Sequence, residues 1–401
     1  MGKTRQGRGT ASCVWPQLKS SLFFEWINSI LIMMLSDLKQ KVRHDIIRPV
    51  AFELFKLSPD FAASFRARQE SAAIREEAKR FFAEGHTLPE GSSKEDFYEA
   101  MRNHMVSISE YFYQYDFYKL TEAERDEFIS RAKMRVLSMK VRWKFPNDCN
   151  GLSRFKEEYL GHYTRLGLCR HKWLYVPEST YQQFSDLISS VDCIMKPHDG
   201  SLGIGVKKVP RQDDPDQIKA LYDKCVRGEM LLEECVKGCD ELQVFHPQSL
   251  NTIRFVTMSY QGKAVPFGAI FRMGVGDTII DNVHAGGLCT QINMETGVVE
   301  SDGLTTGGLL FAKHPDSNLQ IKGTQIPHWD KVVDFCLSAA RNTKNIITGW
   351  DVAVTADGNV DLIEANNRPD FDGGMQAPLK KGVKRKVFDT LRDVLGQEIT
   401  I

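Results

Sequence analysis

The stretch GWDVAVTADGNVDLIEANNRPDFDGG, Gly349–Gly374, decides how the rest of this chain is interpreted. Apolar residues within 352–355 and 360–363 predict two short strands. Asp357-Gly358 between them is typical of a two-residue hairpin turn, because glycine accepts the positive φ that such a turn needs. The sequence therefore predicts a β-hairpin with Asp357 and Gly358 as its loop.

Two carboxylates meet in this hairpin. With a two-residue loop, Asp351 lies directly opposite Glu364, and Asn366 projects from the same strand face as Glu364. Opposed residues have Cβ atoms about 4.5–5.5 Å apart, so two like charges there need a compensating cation. Three oxygen ligands with no neighbouring His or Cys favour Mg²⁺ or Mn²⁺ over zinc. The alternative is a solvated surface hairpin, because a one-residue slip would separate the carboxylates.

The composition is that of an ordinary soluble globular protein. The chain has 401 residues, 42% of them hydrophobic and 26% charged, which predicts two or three domains. Lys+Arg and Asp+Glu both number 52, so a protein defined by nucleic-acid binding is not expected. The nine cysteines are odd in number and scattered, and their spacing matches no zinc motif. Reduced thiols in a cytoplasmic protein are the simplest interpretation.

The N-terminus carries an apolar run, Leu22–Leu35, after several basic residues. This run is too short to span a bilayer, it contains Glu25 and Asn28, and no cleavage pattern follows it. We therefore expect neither a transmembrane segment nor a signal peptide. An interfacial helix, a helix docked on the protein or on a partner, and a misassigned start at Met33 or Met34 remain open.

Beyond this N-terminal tail, residues 1–35, the chain divides into two parts. Residues 36–138 predict a helical region, and residues 139–401 predict a mixed α+β body. Aromatic residues are concentrated in 111–118, but without interleaved arginines they favour core packing over a stacking surface. Apolar residues at helical spacing are clearest in residues 61–82, 94–118 and 122–141.

A lysine and a glycine-rich loop form the second stretch that suggests chemistry. A short apolar strand ends at Lys196, and a second strand begins near Val206. Glycines let backbone N–H groups approach a phosphate, and a lysine adds a point charge. A strand follows the loop, whereas Walker and dinucleotide loops lead into a helix. The pattern favours a glycine-rich flap that lies over phosphates, and a merely flexible hairpin is the alternative. The loop residues concerned are Gly200, Ser201, Gly203 and Gly205.

Three further segments add polar groups to apolar strands. The strand Met230–Val236 turns acidic at Glu233, which is costly in a core unless the acid has a partner. Arg254 lies in an alternating apolar strand, where a structural ion pair and a functional role are both open. The loop Asp281–Gly287 is polar and glycine-paired, so it could lie over a site.

Taken together and in this order, these motifs resemble the ATP-grasp superfamily over residues 139–393. The sequences NTIRFVT and EANNRPDFDGG resemble the sugar-transfer-associated ATP-grasp group, and NVHAGG resembles the related α-L-glutamate ligase branch. The resemblance implies an α+β ATP-grasp fold, in which two α+β subdomains with antiparallel sheets grip ATP. A flap subdomain is expected at about 185–245 and a metal-binding subdomain at about 249–396, with residues 36–138 as a helical appendage.

The resemblance also implies which residues bind the nucleotide. One departure is Glu234, where many relatives carry a lysine, so the alignment of this segment is open. Lys196 would bind the α- and β-phosphates, with Lys156 as a second lysine. Glu233 would accept a hydrogen bond from the adenine amino group, and the Val236 backbone would face the adenine ring. Asp240 or Glu241 would bind the ribose hydroxyls.

The same resemblance assigns Asp351, Glu364 and Asn366 to two Mg²⁺ ions and Arg254 to the charge of the transferred phosphoryl group. On that basis, replacing Asp351 or Glu364 by its amide is expected to abolish turnover with little loss of fold.

The implied reaction is carboxylate activation by ATP. A carboxylate attacks the γ-phosphate, and an amine, less often a thiol, then attacks the acylphosphate; no protein nucleophile is required. The expected partners are a small-molecule carboxylate and an amine, with a cell-surface sugar or small-molecule precursor as the substrate class and polysaccharide biosynthesis as the setting. A small-molecule kinase on the same scaffold is the alternative, and a nucleotide sensor without catalysis is a third interpretation. No residue of the sequence identifies the acceptor.

Overall fold

The computed structural model describes residues 121–129, 131–149, 155–199, 203–305, 309–367, 369 and 371–399. All of them belong to one compact unit, Ala63–Ile401. The helices predicted before residue 121, and the predicted loop residues Gly200 and Ser201, lie outside the described residues.

The α-helices are numbered along the described part of the chain. Several have clear sequence signals at their ends: Thr180 and Gln183 form a capping box at the start of Tyr181–Ser190. The helices are α1 (Glu122–Asp126), α2 (Arg131–Lys144), α3 (Lys156–Arg165), α4 (Tyr181–Ser190), α5 (Pro215–Arg227), α6 (Asp240–Gln243), α7 (Trp329–Arg341), α8 (Asp372–Met375) and α9 (Lys384–Leu395), with short 3-10 turns at Pro146–Asp148, Val176–Glu178, Val283–Ala285 and Ala377–Leu379.

The strands form two antiparallel sheets, as expected for short strands that alternate with hairpin turns. The small sheet consists of β1 (Trp173–Tyr175), β2 (Cys193–Pro197), β3 (Lys207–Val209) and β4 (Met230–Glu234), in the order β1-β4-β2-β3. The large sheet consists of β5 (Ile253–Tyr260), β6 (Lys263–Met273), β7 (Leu288–Ile292), β8 (Gly303–Leu304), β9 (Leu310–Phe311), β10 (Ile347–Val354) and β11 (Val360–Asn366), in the order β11-β10-β5-β6-β7-β8-β9.

Apolar faces of helices cover both sheets. On the small sheet, α4 and α5 enclose Phe184 and Ile218 with residues of β2 and β4. On one face of the large sheet, α3 and α7 pack against Trp350 and Val352. On the opposite face, α2 and α9 pack against Met258 and neighbouring apolar residues. The small sheet also contains β1, which precedes residue 185, the expected start of the flap. The predicted α+β class with antiparallel sheets is confirmed.

The predicted helix 122–141 is wrong in one respect, because it is interrupted between α1 and α2. Ile129 is fully buried there, and its backbone N–H donates to the side-chain oxygen of Gln376 at 2.9 Å. The Gln376 amide nitrogen in turn donates to the carbonyl of Ile129 at 3.0 Å. This amide replaces the helical hydrogen bonds of Ile129, so tertiary packing overrides the local helical pattern.

The hairpin loop differs from the predicted one. Thr355 donates its N–H to the carbonyl of Asn359 at 2.9 Å, so the loop has three residues, 356–358, instead of two. Gly358 has the expected positive φ, 72°. A three-residue loop that ends in a left-handed glycine is the next most common hairpin after the two-residue type.

The predicted pairing of the two carboxylates is nevertheless confirmed. Val352 pairs with Leu362, but Asp351 pairs with Glu364, so Ile363 is an extra residue in β11. Such a β-bulge changes the phase of the strand. Because Val352 and Leu362 are buried in the core, the bulge turns Glu364 to the opposite sheet face, which it shares with Asp351.

The cysteines and the helices bear on two expectations from the sequence, reduced thiols and the lack of a transmembrane segment. All eight cysteines in the described ranges are free thiols, which agrees with the reduced-thiol interpretation. Within the residues described, no helix combines the length and apolarity needed to cross a membrane.

Candidate active site

A cavity of about 1210 Å³ is lined by residues from both sheets. It brings together most of the residues that the sequence singled out, from positions far apart in the chain. The predicted site residues that line it are Lys156, Lys196, Gly203, Glu233, Val236, Asp240, Arg254, Asp351 and Glu364.

Five predicted residues are not part of this lining. Gly200 and Ser201 lie outside the described residues. Gly205, Glu241 and Asn366 are described but do not line the cavity. For the ribose contact, which the sequence left open between two acids, the lining therefore favours Asp240 over Glu241.

The segment after β4 connects the small sheet to the hairpin formed by β10 and β11. Cys239 donates its N–H to Val354 at 2.9 Å, and Ala356 donates its N–H to Lys237 at 3.0 Å. The chain that leaves the small sheet is thus bonded to the tip of the large-sheet hairpin. This link fixes Val236 and Asp240 at one end of the cavity.

The other end of the cavity is a row of charges across three strands. Asp351 on β10 pairs with Arg254 on β5 and with Glu364 on β11. Directly paired residues project from the same face of a sheet. The register therefore forces one cation and two anions into contact distance.

Asp351 is the most heavily engaged member of this row. Arg254 donates two hydrogen bonds to its carboxylate, from Nε to Oδ1 and from Nη2 to Oδ2, each at 2.7 Å. Arg272 Nη2 lies 3.1 Å from Asp351 Oδ2. Burial raises the pKa of Asp351, but the two guanidinium groups outweigh burial and hold the pKa below its ordinary value. Asp351 is therefore a buried, charge-compensated carboxylate.

Arg272, at the end of β6, is a site residue that sequence reasoning missed. Its guanidinium donates to the Thr252 hydroxyl from Nε at 3.1 Å and from Nη2 at 2.6 Å, and Nη2 lies 3.5 Å from Asp281 Oδ1. Thr252 donates its N–H to Asp281 Oδ2 at 2.8 Å, and its hydroxyl bonds the same oxygen. The only sequence signal was a second arginine in an apolar strand. The loop that begins at Asp281 was expected to lie over a site, and its first two residues line the cavity.

Glu364 differs from Asp351 in its surroundings. It is half-buried, and no hydrogen bond or ion pair joins its carboxylate to another described residue. Its charge acts on three cations of the cavity: it contributes to the raised pKa values of Lys196 and Arg254, and at Lys156 it opposes burial, which lowers the pKa. Glu364 is thus an uncommitted anion facing a group of cations.

The oxygen donors of the hairpin suit a hard divalent cation. Asp351 and Glu364 are paired, and the Asn366 side chain reaches Asp351 Oδ2 at 3.4 Å. Carboxylate and amide oxygens are the ligands that Mg²⁺ prefers. Because two arginines already compensate Asp351, Glu364 is the member of this set that carries negative charge without a bonded counter-ion among the described residues.

The lysine end of the cavity is built on the small sheet. Lys196 Nζ lies 2.8 Å from Glu233 Oε2, and both residues are more than nine-tenths buried. Burial lowers the pKa of Lys196, but attraction by Glu233 and Glu364 outweighs it and raises the pKa. Lys156 is also buried, and burial lowers its pKa. The other oxygen of Glu233, Oε1, is buried without a hydrogen-bond partner in the described residues. A buried acceptor of this kind suits an N–H donor on a ligand, such as an adenine amino group.

The glycine-rich loop follows β2 and leads into β3, as predicted from the sequence. Gly203 and Gly205 have φ values of 73° and 79°, which other residues rarely adopt. Gly203 packs directly against the side chain of Ile280, so a side chain at this position would collide with it. The loop therefore touches the segment that carries Asp281.

A second buried charge pair flanks Glu233. His171 Nδ1 lies 3.0 Å from Asp361 Oδ2, and the backbone N–H groups of Arg170 and His171 donate to the same carboxylate at 2.7 and 3.0 Å. His171 Nε2 lies 3.8 Å from Glu233 Oε2. Burial lowers the pKa of His171, but its hydrogen bonds to Asp361 and Cys169 and the charge of Glu233 outweigh burial and raise the pKa to about 10. The raised pKa and the two flanking carboxylates favour the protonated, imidazolium form of His171.

Comparison with known proteins identifies the family. The family model described as "Sugar-transfer associated ATP-grasp" matches residues 165–388, more than half of the chain. No curated protein sequence matches the chain. Among solved structures, the ATP-grasp ligase PsnB complexed with a minimal precursor is similar at 16% identity and a TM-score of 0.38, over 66% of this chain and 70% of that chain.

Two further structures are similar at the same low level. A D-alanine–D-alanine ligase from Bacillus anthracis is 18% identical with a TM-score of 0.35, over 65% of this chain and 68% of that chain. An L-amino acid ligase from Bacillus licheniformis is 14% identical with a TM-score of 0.34, over 62% of this chain and 49% of that chain. Identification rests on the family model, which covers every strand of both sheets: the chain belongs to the sugar-transfer associated ATP-grasp family.

Proposed function

We propose that this protein is an ATP- and Mg²⁺-dependent carboxylate–amine ligase that works through an acylphosphate. The observation that carries this proposal is the charge row Arg254–Asp351–Glu364, which lines one cavity with Lys156 and Lys196. The five residues of this set lie on five separate elements, yet their charges act on one another. Such a group of cations beside an uncommitted carboxylate suits a bound triphosphate and its metal.

The lysine end would bind the nucleotide. Lys196 and Lys156 would contact phosphate oxygens, because both are buried cations facing the cavity. The unpartnered Oε1 of Glu233 would accept from the adenine amino group. Asp240, on the cavity rim after Val236, would hold the ribose hydroxyls.

The arginine end would stabilise the transferred phosphoryl group. Asp351, Glu364 and the Asn366 amide would hold Mg²⁺, which when bound neutralises charge on the phosphates. The Arg254 guanidinium would stabilise the negative charge on the transferred phosphoryl group. Its ion pair with Asp351 must then weaken or break. Arg272 would keep Asp351 compensated during that change, since it lies 3.1 Å from the same carboxylate.

The substrates would be a carboxylate and an amine. The carboxylate oxygen attacks the γ-phosphorus and displaces ADP, and the amine then displaces phosphate from the acylphosphate. The chain needs no nucleophile of its own for either step. The family description supports a sugar-linked or other cell-surface precursor as one of the two substrates, with amino acids and sugar acids as the first candidates.

Phosphate release distinguishes this function from its rival. We expect ATP-dependent phosphate release only when both a carboxylate and an amine are present, measured by screening amino acids against sugar acids with mass analysis of the products. A kinase on this scaffold would need one substrate and would leave the phosphate attached to it. ATP consumption with a stable phosphorylated product and no amide would overturn the ligase proposal.

Lys196→Ala should weaken nucleotide binding by at least roughly a hundredfold, since a charged hydrogen bond to phosphate is lost and Glu233 loses its partner at 2.8 Å. Calorimetry with Mg²⁺ and ADP measures this loss. Lys219→Ala, which removes an exposed lysine paired with Asp223 on α5, is the matched control and should bind as wild type. Equal affinities of the two variants would contradict the role of Lys196.

A further inference from the structure

His171 and Asp361 form a buried charge pair that the proposed reaction does not use. Both side chains are only 3% exposed. Asp361 accepts from two backbone N–H groups and from His171, so both of its oxygens are hydrogen-bonded. Asp361 therefore holds the imidazole in one orientation, with Nε2 directed toward Glu233.

Glu233 lies between two cations that share one of its oxygens. Lys196 Nζ is 2.8 Å from Oε2, and His171 Nε2 is 3.8 Å from the same atom. Lys196 belongs to the proposed phosphate site, whereas His171, which lines the same cavity, has its Nδ1 bonded to Asp361. When a phosphate binds Lys196, this one ammonium group must compensate two anions, the phosphate and Glu233. A carboxylate left buried without a full counter-charge is strongly destabilised.

We propose that His171 is a positioning residue for nucleotide binding: its imidazolium, anchored by Asp361, compensates Glu233 so that Lys196 can bind phosphate. This inference rests on the proposed nucleotide function of the cavity. It assigns to His171 a role that acts through Glu233 and Lys196, without contact with the nucleotide.

Cys169 completes the surroundings of His171 and raises the question of a metal. Its Sγ lies 3.8 and 3.9 Å from the two ring nitrogens, and the Cys169, His171 and Asp361 ligand atoms all lie within 4.8 Å of one another. A ligating histidine presents one nitrogen to its ion, whereas this sulfur is equally far from both. Both oxygens of Asp361 also accept hydrogen bonds already. The geometry therefore assigns a proton, not a metal, to the cluster.

The experiment compares Mg²⁺ and ADP binding by calorimetry in His171→Asn and in the same substitution combined with Glu233→Gln. The Asn amide can keep the hydrogen bond to Asp361 but carries no charge. We expect His171→Asn to weaken binding at least about tenfold, and to have less than about a twofold effect in the Glu233→Gln background, where residue 233 carries no charge to compensate. His162→Asn, which loses a bond to the Asn342 carbonyl and a ring contact with Tyr163 but does not line the cavity, is the control and should match wild type.

Loss of affinity that is equal in both backgrounds would overturn the role through Glu233, and so would an unchanged affinity of His171→Asn. A wild-type chain that does not bind Mg²⁺ and ADP would instead remove the proposed function itself. If His171→Asn does not fold, NMR of the wild-type imidazole decides: both ring nitrogens of His171 should stay protonated at pH 8 with and without Mg²⁺ and ADP. A neutral ring in the nucleotide complex, or one equivalent of bound zinc, would overturn the inference.

Discussion

Glu364→Gln is expected to lower ATP-dependent phosphate release by at least roughly a hundredfold and to leave the fold intact. Glutamine keeps the size of the side chain but removes the charge that acts on Lys156, Lys196 and Arg254. Because no described residue bonds the Glu364 carboxylate, the substitution leaves no buried partner unpaired. Activity and stability should therefore separate in this variant.

The measurement for Glu364→Gln is turnover across a Mg²⁺ titration, together with urea unfolding. Glu300→Gln offers a matched control: Glu300 is also half-buried, it bonds Asn293 at 3.1 Å, and it does not line the cavity. This control should keep wild-type turnover and stability. A Glu364→Gln enzyme that works at full rate with the wild-type Mg²⁺ requirement would refute the metal assignment.

The hairpin shows how far sequence patterns determine this site. Asp351 was predicted to face Glu364 from a two-residue loop, and the pairing is confirmed although the loop has three residues. The longer loop shifts the register by one, and the bulge at Ile363 shifts it back. Because Leu362 and Ile363 are adjacent and both apolar, the sequence does not show which of them faces the core, and so it does not reveal the bulge. The correct pairing thus arose from two deviations that cancel.

The sequence did not show which charged residues of the site pair with each other across the fold. Lys196, Glu233 and Arg254 were recognised because each interrupts an apolar strand. The contacts that define their roles join positions far apart in sequence: 97 residues separate Arg254 from Asp351, and 190 separate His171 from Asp361. Single-chain periodicity reports which face a residue occupies, but not which distant strand lies beside it.

Asp351→Asn has a different expected outcome from Glu364→Gln, and the structure corrects the sequence-based expectation that both would spare the fold. Asp351 is 3% exposed and compensates Arg254 and Arg272, whose side chains are 19% and 8% exposed. Removing one partner of a buried ion pair typically costs roughly 3–5 kcal/mol, because the remaining charge stays buried. We therefore expect Asp351→Asn to lose turnover and also to unfold at a clearly lower urea concentration.

A second substitution separates this ion-pair effect from a loss of metal binding. Arg254→Met combined with Asp351→Asn removes one of the two stranded guanidiniums, so the double variant should be more stable than Asp351→Asn alone. Turnover should stay lost, since the Asp351 carboxylate is absent from both proteins. If the double variant is no more stable, or if Asp351→Asn unfolds together with Glu364→Gln, then Asp351 does not compensate the arginines. In that case its carboxylate would serve the metal alone, as the sequence pattern first suggested.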